Sequence, residues 1–185
     1  MHTHSHKLLG KYLARHYLSD QPDIHRYLFL FGCIQPDKNP LTYLRGSLRG
    51  LPFQGHNWQN LKQYLITKSA RFKDRGISGA LDYYRLGKLI HYLSDSFTHT
   101  HNREFQGTLK EHRLYELHLH GLLKRTLERK TPPVLSYQTI TALIRNHHDL
   151  YSIPPHSAEK DIAAILDTCC SLMDAILNMQ KAPSC

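Results

Sequence analysis

Two histidine–carboxylate pairs stand out in this chain: His91-Tyr-Leu-Ser-Asp95 and His112-Arg-Leu-Tyr-Glu116. In each, an imidazole and a carboxylate are four residues apart. On an α-helix, positions i and i+4 lie on one face, one turn apart, so both side chains reach a single metal ion. His101 lies between the pairs and adds a further nitrogen ligand. Imidazole and carboxylate in quantity, with no matching run of cysteines, are the ligands of catalytic zinc rather than of a zinc finger. A zinc-bound water ionises near neutral pH, and zinc ions about 3.5–4 Å apart brace the attacking and leaving oxygens of a phosphate ester. A lone pair of this kind is ordinarily a surface pair or a satisfied core histidine. It is the gathering of several such residues in one chain that points to metal.

Further residues join this set. His56 ends a loop broken by Pro40, Gly46, Gly50, Pro52 and Gly55. Asp37 closes the run Gly32-Cys-Ile-Gln-Pro-Asp37, where Pro-Asp alone is ordinary turn chemistry. His4 and His6 precede the first helical pattern, and His6 leads straight into it. The remaining histidines, His118 and His120 among them, belong to no constellation. Arg45 and Arg49 lie in the apolar loop 41–53, where an arginine could clamp a phosphate or the loop graze a lipid surface; plain packing on the helices is the ordinary reading.

The elements that must carry these residues are helical. Strand alternation and Asn-Gly or Asp-Gly hairpin signals are missing, and a period near 3.6 dominates. Leu8, Leu9, Tyr12, Leu13 and Tyr17 mark a first helix. A second runs from Ile24 to Cys33 and ends near Pro36. The third covers Trp58 to Ala70. The fourth, expected to be the longest, runs from Ile77 to about Phe97 with Leu81, Tyr84, Leu89, Tyr92 and Leu93 inward. Helices from Leu109 to about Lys130, over 137–150 and over 157–180 complete the set. The expectation is an all-α bundle of about seven helices, a single domain over residues 1–185, with the metal site in its core.

Composition bounds the rest. The chain has 185 residues, 41% of them apolar, enough for a domain with a real core. Its 24 Lys+Arg against 15 Asp+Glu give a formal charge of +9 and a pI of about 9.4. Such a balance favours anionic partners: phosphate esters, nucleic acid or acidic lipid head groups. Cys33, Cys169, Cys170 and Cys185 form no C-x-x-C pair, which excludes a disulfide framework and a thiolate metal site. The polar start Met1-His-Thr-His-Ser-His-Lys7 has no apolar signal region, and no apolar run approaches the roughly 18 residues of a membrane span. A cytoplasmic location, with peripheral membrane contact for a lipid substrate, is expected.

The order of the motifs resembles the zinc-dependent phospholipase C family, which shares its fold with the S1/P1-type zinc nucleases. The resemblance runs from His6 to Glu116. It rests on His6-x-x-Leu-Gly, Gly-x-Ile-x-Pro-Asp37, His56, Gly87-Lys-Leu-Ile-His91-Tyr-Leu-x-Asp95, His101-Asn102 and His112-x-x-Tyr-Glu116. It implies two or three Zn²⁺ ions in an all-α bundle. One zinc would take His56, His91 and Asp95, and a second His101, His112 and Glu116. Asp95 would bridge to a third, held with the N-terminal histidine and the terminal amine. Asp37 would serve the reacting water as general base or orient it. At the N-terminal corner His6 is the first choice, His4 its rival, and the Met1 amine with His2 a further arrangement. Secreted members carry a tryptophan there, where this chain has Met1-His2-Thr3-His4. His101 is chosen over His99 for its spacing from Asp95 and the Asn102 that follows. The implied activity is phosphodiester hydrolysis on a phospholipid. Single-stranded nucleic acid is the second substrate class, and a metal-binding helical protein without turnover is the third reading.

Overall fold

The computed structural model describes residues 1–39, 41–42, 56–129, 131–133 and 139–177. Among them the elements run α1 (Thr3–Tyr17), α2 (Asp23–Lys38), α3 (Trp58–Arg75), α4 (Ala80–Ser96), a 3-10 turn (His99–His101), α5 (Leu109–Arg129), α6 (Ile140–Tyr151) and α7 (Ala158–Leu177). The expected all-α architecture is present. The loop containing Arg45 and Arg49 lies outside the described residues beyond Leu41 and Thr42.

Side-chain caps start several helices by satisfying N–H groups that lack a partner in the first turn. Asn57 accepts from the Asn60 N–H of α3 and Thr139 from the Ala142 N–H of α6. Thr108 and Glu111 exchange bonds at the head of α5, a capping box. Ser157 accepts from the Lys160 N–H at the head of α7. Gly76, at φ 66°, ends α3 where a side chain would be strained.

α4 is the axis of the bundle. Every residue from Leu89 to Ser96 is buried, so no face of its C-terminal half meets solvent. α2, α3 and α7 pack around it, with Phe29, Leu61, Leu65, Leu172 and Met173 in the shared core. α5 buries only Leu119 and Leu123 fully and lies on the outside.

Several details differ from expectation: α3 runs on to Arg75 rather than Ala70, and α4 begins at Ala80 rather than Ile77. α2 does not stop at Pro36 but carries it in its last turn and continues to Lys38, and Thr42 Oγ1 donates to the carbonyl of Pro36 at 2.7 Å. Among the described residues α5, with 21, is the longest helix rather than α4, with 17. Leu81 is exposed and Tyr83, in the same first turn, takes the inward position. No helix among the described residues is long and apolar enough to cross a membrane.

A close crossing sets the frame for the site. A Cβ added to Gly32 would stand 2.2 Å from the Tyr84 carbonyl oxygen, and one on Gly87 2.1 Å from that of Phe29. Only glycine lets α2 and α4 touch backbone to backbone here. The C-terminal half of α2, with Cys33 and Asp37, is thereby pressed against His91.

Candidate metal centre

α4 delivers His91 and Asp95 one turn apart, both fully buried. His91 Nδ1 lies 2.9 Å from the carbonyl oxygen of Cys33. A carbonyl only accepts, so Nδ1 carries the proton and Nε2 has a free lone pair. That lone pair stands 3.2 Å from Asp95 Oδ2, 3.4 Å from Asp37 Oδ1 and 3.3 Å from His56 Nδ1.

Two more histidines repeat the pattern. Ser94 Oγ gives its proton to the His91 carbonyl, so the His6 Nδ1 at 3.2 Å must donate to it. His6 Nε2 is then unprotonated; it is buried, makes no hydrogen bond and lies 3.1 Å from Asp95 Oδ1. Thr42 Oγ1 donates to the carbonyls of Pro36 and Asn39, so it accepts from His56 Nε2 at 3.1 Å. His56 Nδ1, 2.9 Å from Asp95 Oδ2, therefore also presents a lone pair. These tautomers follow from the hydrogen-bond network. In the neutral form of each ring, the three imidazoles thus aim lone pairs at one carboxylate. Two facing acceptors repel, and a cation between them turns the repulsion into binding.

The second group is smaller. His101 Nε2 and His112 Nε2 lie 3.1 and 3.3 Å from the same oxygen, Glu116 Oε1. His101 Nε2 is also 4.0 Å from Asp95 Oδ1, so Asp95 sits between the groups. The Met1 amine lies 2.5 Å from Asp95 Oδ1, 2.7 Å from His101 Nε2 and 3.3 Å from Glu116 Oε1. Zinc bonds of about 2.0–2.1 Å place tetrahedral neighbours about 3.3 Å apart, close to most of these separations. Four ligand atoms, from His6, Asp37, His91 and Asp95, lie within 4.8 Å of one another, as do three from His101, His112 and Glu116. Both groups have the composition and spacing to hold a metal ion.

The electrostatics suit a cation. Burial alone would raise the Asp95 pKa, but the Met1 ammonium and then His101, His6 and His91 hold it well below the ordinary carboxylate range. Glu116 is likewise pushed down: burial opposes, and bonds to His101 and His112 prevail. Burial and then His91 lower His6 to about 4, so it is neutral and competent as a ligand. Burial and the Met1 amine lower His101 as well.

Of the residues singled out from sequence, His6, His56, His91, Asp95, Asp37, His101, His112 and Glu116 all meet here. His4 is exposed and stacked on His2, with ring centroids 4.9 Å apart, so His6 is the N-terminal histidine at Asp95. His99 turns away and stacks on His156 at 4.5 Å. Sequence reasoning missed the supports. Asp161, fully buried on α7, accepts at 2.8 Å from the His99 backbone N–H, Tyr115 Oη and Tyr151 Oη, pinning the turn that carries His101. Asn102 Nδ2 donates to the carbonyls of Ser96 and Thr98 and clasps the same turn to α4. Tyr92 stands edge-on to both His56 and His91 at 5.3 Å. Ser94 was visible only as a helical serine; nothing in its spacing links it to His6.

Comparison with known proteins agrees with this geometry. The family model described as zinc dependent phospholipase C matches residues 5–170. Searches of curated proteins and of solved structures return no match. With an all-helical fold and a match that spans the whole His6–Glu116 constellation, the chain belongs to the zinc-dependent phospholipase C family.

Proposed function

We propose that this protein is a zinc-dependent phosphodiester hydrolase of phospholipase C type, with a glycerophospholipid as substrate. The observation that carries the reading is the set of three back-bonded histidines, His6, His56 and His91, presenting lone pairs to the two oxygens of Asp95. In this reading His56, His91 and Asp95 hold one zinc, and His101, His112 and Glu116 hold a second. His6 with Asp95 holds a third. Bound zinc supplies an ionised water near neutral pH and neutralises charge on the phosphoryl oxygens.

The chain's own groups do the rest. Cys33, Ser94 and Thr42 fix the imidazoles in one tautomer, so the lone pairs need no reorganisation on metal binding. Asp37 accepts from Thr3 Oγ1 at 2.7 Å through Oδ2, which holds Oδ1 toward His91 and His56. A carboxylate held there takes the proton of the attacking water or orients it. Its side chain keeps 12% exposure while Asp95 has none, so it faces the approach to the site.

The test is a comparison of substrates on purified protein of measured zinc content. Phosphatidylcholine should be cleaved to diacylglycerol and phosphocholine, chelation should abolish the reaction, and Asp95→Asn should be inactive with its helical content intact. Cleavage of single-stranded DNA in place of lipid would move the substrate to the nuclease class. Zinc that raises Tm without turnover on either substrate would leave a binding protein.

A further inference from the structure

A second cavity, away from the metal centre, is strongly basic. It has a volume of about 580 Å³ and lies between the C-terminal half of α3 and the N-terminal half of α4. That is within the roughly 300–1,000 Å³ of small-ligand sites. Lys68, Arg71 and Arg75 line it from α3, on one stripe at i, i+3 and i+7. Arg85 and Lys88 line it from α4. Asp82 is the carboxylate in the lining, and it is bound to Arg85 at 2.7 Å and to the hydroxyl of Ser78.

Lys68, Arg71 and Arg75 have no carboxylate partner among the described residues. All 15 Asp and Glu residues of the chain lie among the described residues, so no segment outside them brings a carboxylate side chain to this hollow. Arg85 is paired with Asp82. Like charges lining one concavity repel, and the low-dielectric walls focus their field into the hollow. An anion removes the repulsion. Guanidinium forks match the oxygens of a phosphate in a bidentate manner. Tyr64, Phe72 and Tyr84 add flat walls for the body that carries the phosphate.

The cavity is distinct from the metal centre. None of the eight candidate site residues lines it. Along α4, Lys88 precedes Asp95 by seven residues, about 10 Å of helix rise. One aromatic layer joins the two: Tyr64 of the cavity wall stands edge-on to Tyr92 at 5.5 Å, and Tyr92 touches His91 and His56.

We propose that this hollow is an anion site for a phosphate group, separate from the hydrolytic centre and independent of the activity assigned to it. The phosphate belongs to a soluble ester or to the head group of an acidic lipid, and two probes separate these sources. Inorganic phosphate is titrated calorimetrically into the zinc-loaded protein. Vesicles of phosphatidylcholine alone are compared with an equimolar mixture of phosphatidylcholine and phosphatidic acid by co-sedimentation. Each is repeated with Arg71→Gln/Arg75→Gln and with the charge-matched control Lys124→Gln/Arg129→Gln on α5. Arg71, Arg75, Lys124 and Arg129 are all exposed, so both variants fold.

The expected result is binding of at least one probe, weakened about tenfold or more in the α3 variant and unchanged in the α5 control. Zinc content and hydrolysis of a short-chain soluble lipid stay as in the parent. Phosphate alone identifies a soluble ligand, and acidic vesicles alone identify a lipid head group. Binding of neither probe, equal loss in both variants, or full affinity in the α3 variant overturns the proposal.

Discussion

Gly32 on α2 and Gly87 on α4 meet with no side chain between them. A Cβ on Gly32 would come 3.1 Å from the Gly87 Cα, and one on Gly87 3.0 Å from the Gly32 Cα. Both would also collide with backbone carbonyls, which cannot rotate aside as a side-chain tip can. The contact fixes the Cys33 carbonyl against His91 Nδ1. Gly87→Ala should therefore cost about 3 kcal/mol or more. For a chain of this size that is roughly a 10 °C fall in Tm, readable by circular dichroism. It should also reduce zinc retention, although no candidate ligand is changed. An unaltered Tm would show that the helices do not cross this closely.

Ser94 tests the lone-pair argument directly. It accepts from His6 Nδ1, and Ser94→Ala removes that acceptor from a fully buried ring. Outer-shell changes of this sort typically weaken metal affinity about 10- to 100-fold. Competition with a chelator of known affinity gives the measurement. Helical content should not change, because an alanine suits the same helix.

Asp161 gathers three donors from three parts of the chain: the His99 N–H, Tyr115 and Tyr151. Asp161→Ala leaves these buried donors unpaired, at an expected cost of about 3–5 kcal/mol. Asp161→Asn keeps part of the accepting capacity and should fold. Its informative readout is zinc stoichiometry, where a loss confined to about one ion would trace the effect to His101. Full zinc occupancy in that variant would reduce Asp161 to a purely structural tie.

His148 gives the chain an acid limit away from the metal centre. Burial lowers its pKa from 6.5 to about 4, and its ring stacks on Trp58 with centroids 3.8 Å apart. The unfolded chain takes up this proton first as pH falls. The stabilisation is thus complete above pH 6.5 and lost progressively from 6.5 down to about 4, a contribution of about 3 kcal/mol. Urea midpoints measured across that range should drop for the parent protein. They should drop less for His148→Phe, which keeps a ring on Trp58 and cannot titrate.

Much of this protein was legible from residue types and spacing. The i,i+4 pairs His91/Asp95 and His112/Glu116 need only helix geometry to form two-ligand units, and a 3.6-residue period announces the helices that carry them. Charge was legible too, as the excess of Lys and Arg that surfaces in the α3–α4 hollow. Pro36 and Leu81 were read less well, because the Thr42 bond to the Pro36 carbonyl and the packing that buries Tyr83 in place of Leu81 are tertiary facts.

Other features were decided by tertiary structure alone. Sequence favours His6 over His4 only through the helical pattern that follows it; the packing of α1 beside α4 puts His6 at Asp95 and leaves His4 on the surface. The tautomers depend on a carbonyl, a serine and a threonine from three separate segments. Asp161 lies 60 residues from His101 and acts through the backbone of His99, a link that carries no sequence spacing. Local periodicity sets which residues share a helix face. The close contact of Gly32 and Gly87 decides how α2 meets α4 and sets the Cys33 carbonyl and Asp37 beside His91. The α5 pair reaches Asp95 through His101, because tertiary packing and not local spacing brings these segments together.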